Sequence, residues 1–283
     1  MRNTILITGA SGQLGRQLCK DITSHKVVPL SRADLNFNKL EDFQTVIRKY
    51  NPNLIINCAA YTNVEKAEGD FETAKRINCD AVKELAIVSK ELKIPLIHFS
   101  TDYVFDGQKI SCYSETDHPN PKNNYGLTKL LGEQQIIKHL NQYLILRTSW
   151  VYSKNHGRNF YQSMISLFKR EKLVKVVNDQ FGAPTNVEFL SSRVVKLIDK
   201  IFSSKFTDKI WGLYHLTEDK TMSWFEFALL IFSENKDKNL FTVKQIKGIS
   251  SSEYESKVDR PHNSCLSNEL FDRTFDFFSA HFL

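Results

Sequence analysis

Tyr125 and Lys129 are the residue pair best suited to acid–base chemistry. A tyrosine hydroxyl can pass a proton to a substrate, and a lysine ammonium nearby lowers the pKa of that hydroxyl. On a helix, a spacing of four residues places both side chains on one face. Because the chain has ten tyrosines, the spacing alone has little weight. Position decides, since the helix predicted over 124–138 follows soon after a strand that ends at Ser100-Thr101-Asp102.

This arrangement is typical of carbonyl reduction. Thr101 is placed to donate a hydrogen bond to the oxygen that becomes negative as a hydride reaches the carbonyl carbon. Tyr125 would then protonate that oxygen, while Lys129 supports the tyrosine and holds the nicotinamide ribose. Three groups are therefore expected to meet at one oxygen.

A glycine-rich segment at 8–15 predicts the dinucleotide site that such a reaction needs. Gly9, Gly12 and Gly15 follow the first predicted strand and precede a helical pattern. Gly9 allows a tight turn, Gly12 lets the backbone approach a pyrophosphate, and Gly15 lets helix and strand pack closely. The helix amino terminus, with Leu14 in its first turn, attracts the phosphate charge.

The end of the second predicted strand favours NADPH over NADH. Folds that prefer NAD usually place a carboxylate there for the adenosine ribose, whereas this chain has Ser31 and Arg32. A guanidinium beside a hydroxyl suits the 2′-phosphate of NADPH, although Arg32 could equally stack on adenine. NADH remains the alternative coenzyme.

The elements that must position these residues alternate between strand and helix. Short β-branched runs at 4–8, 27–30, 54–58, 96–100 and 144–148 are separated by helical patterns, which predicts an α/β fold of the Rossmann type, with a doubly wound parallel sheet. The carboxyl ends of parallel strands share one edge, so the residues after each strand, including Ala59, are expected to be neighbours there. After about residue 150 the pattern loosens into helical stretches at 160–170, 187–201 and 224–232, with short strands near 174–177 and 213–216. We therefore expect a coenzyme domain at 1–150 and a smaller, mainly substrate-binding lobe at 151–283, with the chain free to cross back between them.

The composition of the chain argues against several other classes of protein. The +6 formal charge is interspersed with acidic residues, which gives little support for a nucleic-acid partner. No apolar run approaches the ~20 residues of a membrane span, and the first apolar stretch is too short for a signal peptide. The five cysteines form an odd set without a C-x-x-C pair, which argues against a disulfide framework and a zinc site. We expect reduced thiols and a cytoplasmic protein with no metal site.

At this level of detail the sequence resembles the dTDP-4-dehydrorhamnose reductase family of extended short-chain dehydrogenase/reductases. The segments that carry the resemblance span nearly the whole chain and lie at 9–15, 57–68, 100–105, 125–129, 147–152, 178–185 and 260–264. The resemblance implies reduction of the 4-keto group of a nucleotide-linked 6-deoxyhexose, in the synthesis of dTDP-rhamnose for polysaccharides.

The resemblance also implies roles for particular residues. Tyr125 becomes the proton donor, Lys129 its electrostatic partner, and Thr101 and Asp102 the pair that orients the substrate. Trp150 would line the sugar pocket, and we expect Arg260 and His262 to hold the nucleotide or its phosphates. The coenzyme contacts that it implies are Ser11, Gly12, Gln13, Asp34, Leu35, Ala60, Tyr61 and Thr62.

Three positions depart from the family pattern. Cys265 stands where an arginine is expected, and the family usually continues beyond the segment 277–283 with a further helix. Gln17 replaces a glutamate that some members use in magnesium-linked dimers, so a homodimer is allowed but a metal-bridged one is not expected. Two alternatives stay open: a reductase or epimerase of another nucleotide sugar, and a non-catalytic regulatory subunit similar to the β subunit of methionine adenosyltransferase.

Overall fold

Six parallel strands form the central sheet of the computed structural model, which describes residues 2–203, 208–235, 238–256 and 258–276. Across the sheet they lie in the order β10 (Gly212–His215), β5 (Tyr143–Thr148), β4 (Leu96–Thr101), β3 (Leu54–Asn57), β1 (Thr4–Thr8) and β2 (Lys26–Leu30). The central strands β1, β3, β4 and β5 are buried along almost their whole length, because helices cover both faces of this parallel sheet.

Helices cover the two faces of this sheet, as the doubly wound prediction requires. On one face α1 (Gln13–Asp21), α8 (Val187–Ile201) and α10 (Glu269–Phe275) pack in one apolar cluster with Ile5 and Ile7. On the other face α2 (Phe43–Lys49), α5 (Ala81–Leu92) and α6 (Asn124–His139) pack around Leu6. Successive residues of β1 thus point to opposite sides. The Rossmann-type prediction is confirmed.

Shorter helical segments join β3 to α5. They are α3 (Val64–Gly69), α4 (Phe71–Lys75) and a π-helical turn at Arg76–Asp80. The turn brings the buried Asn78 side chain under the loop that follows β3, where Nδ2 donates to the Tyr61 carbonyl and Oδ1 accepts from the Tyr61 N–H. This pair of bonds holds the loop after β3 against the π-helical turn that precedes α5.

The second half of the chain builds a smaller cluster of its own. Here α7 (Phe160–Arg170) and α9 (Trp224–Glu234) pack against a two-stranded parallel sheet of β7 (Leu173–Val177) and β12 (Gln245–Ile249). Four two-residue strands complete the region: β6 (Val151–Tyr152), β8 (Phe181–Gly182), β9 (Thr185–Asn186) and β11 (Met222–Ser223).

Three elements of the second half pack with the first half. β10 pairs with β5 in parallel, and α8 and α10 pack in the cluster that contains α1. The chain therefore crosses back after residue 150, and the division at that residue stays a prediction. The terminal segment 277–283, noted above as a departure, lies outside the described residues.

The expectation that all five cysteines are reduced is wrong for two of them. Cys112 and Cys265 form a disulfide with a Cα–Cα distance of 4.5 Å, whereas Cys19, Cys58 and Cys79 are free. Tyr113 and Leu266 pair across an isolated parallel bridge, and this contact brings together two cysteines that are 153 residues apart. The spacing of the cysteines could not predict this disulfide, because the tertiary structure brings the two residues together.

Two further features concern the described ranges alone. No helix there combines the length and apolar character needed to cross a bilayer. The same ranges hold no group of three or more His, Cys, Asp or Glu side chains arranged for a metal ion.

Candidate active site

The glycine loop turns sharply from β1 into α1. Gly9 has φ +64°, and a Cβ there would lie 2.6 Å from the Ala59 nitrogen, so only glycine fits. The Gly12 N–H donates to the Gly9 carbonyl at 2.9 Å, and Gly12 caps α1 without any side-chain hydrogen bond. Gly15 packs onto the Gly9 carbonyl. The first turn of α1 thus leaves backbone N–H groups that can bind an anion.

A cavity of about 680 Å³ lies at the carboxyl edge of the sheet, in front of this loop. The sequence-predicted site residues that line it are Gly9, Ser11, Gly12, Gln13, Leu14, Arg32, Leu35, Ala59, Ala60, Thr62, Thr101, Asp102, Tyr125, Lys129, Trp150 and Arg260. Among the described lining residues four are Arg or Lys and one, Asp102, is acidic. The charge favours an anionic ligand.

Five predicted contacts do not line this cavity, namely Gly15, Ser31, Asp34, Tyr61 and His262. The Ser31 hydroxyl donates to the Asp34 carboxylate at 2.6 Å, which lowers the Asp34 pKa and holds the turn after β2. Tyr61 donates to Asp70 at 3.3 Å. Ser31, Asp34 and Tyr61 therefore support the loops around the cavity, whereas His262 lines a second cavity.

Thr101, Asp102 and Tyr125 meet at the end of β4. The Thr101 hydroxyl donates to Asp102 Oδ1 at 3.0 Å and accepts from the Tyr103 N–H at 3.2 Å. Burial raises the pKa of Asp102 to about 6, although hydrogen bonds from Ser264 and Thr101 oppose the shift. The carboxylate is thus held in an environment that penalises its charge.

The pKa of Tyr125 moves opposite to the sequence expectation. Burial raises it well above the usual tyrosine value, and only a hydrogen bond with Thr101 opposes that shift. The tyrosine ring packs edge-on against Tyr103, with centroids 5.6 Å apart. Tyr125 is therefore a protonated phenol at neutral pH, which is the form that a proton donor needs.

Lys129 is held by the strand beneath it. Its Nζ donates to the Phe99 carbonyl at 2.6 Å and lies 3.2 Å from His98 Nε2. Burial lowers the Lys129 pKa to about 8, although the nearby Glu133 carboxylate opposes the shift. Lys129 lines the cavity one helical turn after Tyr125, as the spacing predicted.

A buried ion pair supports the same helix one turn further on. Arg147 on β5 donates to both carboxylate oxygens of Glu133, at 2.9 Å and 2.6 Å, and Ser100 also donates to Glu133. Both charged side chains are almost fully buried. The pair joins α6 to β4 and β5 directly below the cavity.

Trp150 forms one wall of the cavity in a strained conformation. Its φ is +47°, a region that bulky residues rarely adopt. The ring stacks on Trp224 with centroids 3.4 Å apart and also lies against the backbone of Gly182, where an added Cβ would be 2.5 Å away. The packing around the ring stabilises the strained backbone.

Sequence reasoning missed several residues of this site. Trp224 and Arg158 line the cavity, and Asn159 donates to Gln13 Oε1 at 2.6 Å, so the loop after β6 packs on the glycine loop. Trp224 follows Ser223, which forms a capping box with Glu226, so in the sequence it looks like the first residue of an ordinary helix. His98 reads as an ordinary strand residue. None carries a signal without the tertiary contacts.

Arg260 connects the first cavity to a second one of about 390 Å³, which His262 also lines. Arg260 pairs with Glu65 at 3.3 Å, and His262 Nδ1 lies 3.1 Å from the Asp179 carbonyl. The remaining described residues of this second cavity are Gln180, Ser251, Ser252, Tyr254, Ser256, Val258 and Asp259. Its lining is mostly polar.

Known proteins resemble the chain over nearly its whole length. A family model described as the RmlD substrate binding domain matches residues 1–282. The dTDP-4-dehydrorhamnose reductase of Aggregatibacter actinomycetemcomitans is 36% identical over 275 residues, which cover 96% of this chain and 92% of that protein. The spore coat polysaccharide biosynthesis protein SpsK of Bacillus subtilis is 34% identical and covers 95% of this chain and 90% of its own length.

Solved structures give the same result. The dTDP-4-dehydrorhamnose reductase of Bacillus anthracis, in complex with NADP, superposes with a TM-score of 0.88 at 35% identity and covers 97% of this chain and 93% of its own. The corresponding protein of Clostridium acetobutylicum superposes with a TM-score of 0.87 at 36% identity, covering 96% and 92%.

Proposed function

The chain belongs to the family of the RmlD substrate binding domain, whose named relatives are dTDP-4-dehydrorhamnose reductases, and from this membership we propose that it reduces the 4-keto group of a dTDP-linked 6-deoxyhexose with NADPH. One observation carries the proposal: Tyr125, Lys129 and Thr101 line the same cavity as the glycine loop. The SpsK relative supports a role for the product in polysaccharide synthesis.

NADPH fits the glycine loop and the end of β2. The first turn of α1 offers unshielded N–H groups, and Gly12 brings the backbone close without a side chain. Arg32 is exposed at the cavity rim, and the carboxylate two residues later, Asp34, accepts a hydrogen bond from Ser31. The Arg32 guanidinium is therefore placed to bind the 2′-phosphate of NADPH, and the Asp34 carboxylate is held by its hydrogen bond with Ser31. NADPH bound there supplies a hydride to the carbonyl carbon.

The residues at the end of β4 act on the carbonyl oxygen. The Thr101 hydroxyl, whose proton points to Asp102, turns to donate to the oxygen as its negative charge develops. Tyr125 then gives its phenolic proton to that oxygen. Because burial keeps this phenol protonated, the proton is available before the hydride arrives.

The two cavities divide the substrate between them. Trp150 and Trp224 form a flat apolar wall beside the catalytic residues, which suits the face of a deoxysugar. Arg260 stands between the cavities and would bind the diphosphate, with His262 on the nucleotide side. Replacing Arg260 by Ala should raise the KM for the sugar nucleotide strongly, and an unchanged KM would refute this role.

Turnover of a substrate panel tests the whole proposal. The protein is mixed with NADPH or NADH and with dTDP- and UDP-linked 4-keto-6-deoxysugars, and nicotinamide absorbance is followed. We expect the fastest oxidation with NADPH and a dTDP-linked sugar. A preference for NADH would contradict the coenzyme assignment, and preference for a UDP-linked sugar would favour the alternative reductase. No turnover with any sugar would favour the regulatory subunit.

Replacement of Tyr125 by Phe tests the proton donor. Removing a positioned acid costs roughly 10²–10⁴-fold in rate. We expect kcat to fall by that factor while NADPH affinity stays near the wild-type value. Tyr143→Phe is the matched control, because Tyr143 begins β5 at the opposite edge of the sheet. Full activity of the Tyr125 variant would exclude the mechanism.

A further inference from the structure

A chain of buried hydrogen bonds leads from β1 to Lys129. Thr8 donates to Asn57 Oδ1 at 2.6 Å, Asn57 Nδ2 lies 2.8 Å from His98 Nδ1, and His98 Nε2 lies 3.2 Å from Lys129 Nζ. All four side chains are at most 2% exposed. Because each contact is direct, it needs a donor on one side and an acceptor on the other.

The backbone fixes the direction of this chain. The Ala59 N–H donates to Asn57 Oδ1 at 3.1 Å, and an N–H can only donate. The oxygen of the Asn57 amide must therefore face Ala59, and its NH₂ group must face His98. His98 Nδ1 is then the acceptor. A neutral imidazole carries one proton, so that proton resides on Nε2, toward Lys129.

The Nε2–H group meets a lysine that can accept it only in one form. An ammonium has three donors and no acceptor, whereas a neutral amine has a lone pair. The neutral amine satisfies both observed contacts, because it donates to the Phe99 carbonyl and accepts from His98. If Lys129 were an ammonium, one of its N–H groups would face the Nε2–H group of His98, and neither could accept a hydrogen bond from the other. The contact with His98 therefore destabilises the charged form of Lys129.

We propose that His98 is a positioning residue that, locked as the Nε2–H tautomer by Asn57, holds Lys129 against β4 and makes its amine easy to deprotonate. This rests on the proposed function for its catalytic meaning, because Lys129 serves Tyr125 there. A lysine that exchanges its proton near neutral pH can return a proton to Tyr125 after each turnover. The lowered pKa of Lys129 and the strongly lowered pKa of His98, both caused first by burial, agree with this arrangement.

The other titratable groups around Lys129 are Glu133, Cys58 and Tyr125. Glu133 on the same helix favours the ammonium, but its carboxylate is already paired with Arg147. Cys58, after β3, would favour the ammonium only as a thiolate, and burial raises the pKa of its thiol, so it stays protonated and uncharged. Tyr125 stays a neutral phenol. Of these three groups and His98, only His98 lies within hydrogen-bond distance of the Lys129 amine.

Two variants change the donor and acceptor roles in this series of hydrogen bonds and keep a polar side chain at each position. In Asn57→Asp the residue becomes acceptor-only, so the His98 proton should move to Nδ1 and leave a lone pair toward Lys129. In His98→Gln the side-chain amide is free to turn its oxygen toward Lys129. Both changes should raise the Lys129 pKa from about 8, toward the ~10.4 of an ordinary lysine. His215→Gln is the control, since His215 is equally buried but bonds to Tyr113.

Heteronuclear NMR of the full-length protein measures both quantities without substrate. The ring-nitrogen shifts of wild-type His98 report its tautomer, and the Cε shift of labelled Lys129, assigned with Lys129→Arg, reports its titration. We expect an Nε2–H tautomer in the wild type, an Nδ1–H tautomer in Asn57→Asp, and an upward shift of the Lys129 titration in both variants only.

The outcomes separate this inference from the proposed function. A wild-type His98 protonated on Nδ1, or a Lys129 titration that His98→Gln leaves unmoved, overturns the inference even if the enzyme reduces its sugar. A shifted titration together with no turnover in any assay supports the inference and contradicts the proposed function. With an active enzyme, the limb of the kcat–pH profile that reports Lys129 should move in the same direction as the NMR titration.

Discussion

Replacing Asp102 by Asn should stabilise the protein in a way that depends on pH. Asp102 is 2% exposed, and burial raises its pKa from 3.8 to about 6. The carboxylate is thus more costly to ionise in the folded chain than in the unfolded one. Asn has the same shape, keeps an oxygen for the Thr101 hydroxyl, and offers its NH₂ to Ser264, whose hydroxyl can accept.

The sign and size follow from the two pKa values. Below pH 3.8 the carboxyl is neutral in both states and costs nothing. Between 3.8 and about 6 the folded state binds more protons, so its stability falls as pH rises. Above pH 6 the full difference of about 2 pKa units remains, which at 1.36 kcal/mol per unit is about 3 kcal/mol. The Asp102→Asn variant has no carboxyl group at this position, so its free energy of unfolding does not fall in this way as pH rises.

Urea unfolding at a series of pH values between about 3 and 8 measures the difference in free energy of unfolding between Asp102→Asn and the wild type. We expect the difference to grow in favour of the variant by about 3 kcal/mol as pH rises through this range. A difference that is constant across the range, whatever its size, refutes the reasoning. Turnover should fall in the variant, since the carboxylate orients Thr101 in the proposed site.

Four other substitutions test further features of the structure. Glu133→Leu and Arg147→Met should each cost about 3–5 kcal/mol of unfolding free energy because each strands a buried charge. The double variant should be closer to wild type than either single one, and additive losses would contradict the pairing. Cys112→Ser should lower the melting temperature under oxidising conditions only, because a reductant removes the same bond to Cys265 from the wild type. Gly15→Ala should weaken NADPH binding at least about tenfold, measured by coenzyme fluorescence, because the new Cβ overlaps the glycine loop.

The sequence was most informative where structure is local. The helices predicted at 160–170 and 187–201 have the observed bounds of α7 and α8, and the strand predicted at 4–8 is β1. Such elements follow from periodicity and from caps such as Asn159 and Asn186, whose side chains accept from the first helical turns. The glycine loop was also recognisable, since its turn requires residues without a side chain.

Non-local pairing could not be predicted in the same way. The strand near 213–216 was recognised, but its place beside β5 depends on a partner about 70 residues earlier. The Cys112–Cys265 disulfide depends likewise on two segments that meet only in the folded chain. The environment of Lys129 belongs to this class as well, because an isolated His98 in an apolar strand has no visible connection with a helix thirty residues later.

Helix α6 is held in register by polar contacts along β4, and this explains why its spacing has chemical meaning. Tyr125, Lys129 and Glu133 lie one turn apart, and each meets a different part of the end of β4, through Thr101, His98 and Ser100 respectively. Apolar packing alone would tolerate a shift of the helix by one turn, since one apolar ridge resembles the next. A shift of that kind would here place a lysine against the Thr101 site and leave the Arg147 charge unpaired. The buried ion pair and the histidine contact therefore select one helix position, and that position puts the tyrosine at the cavity.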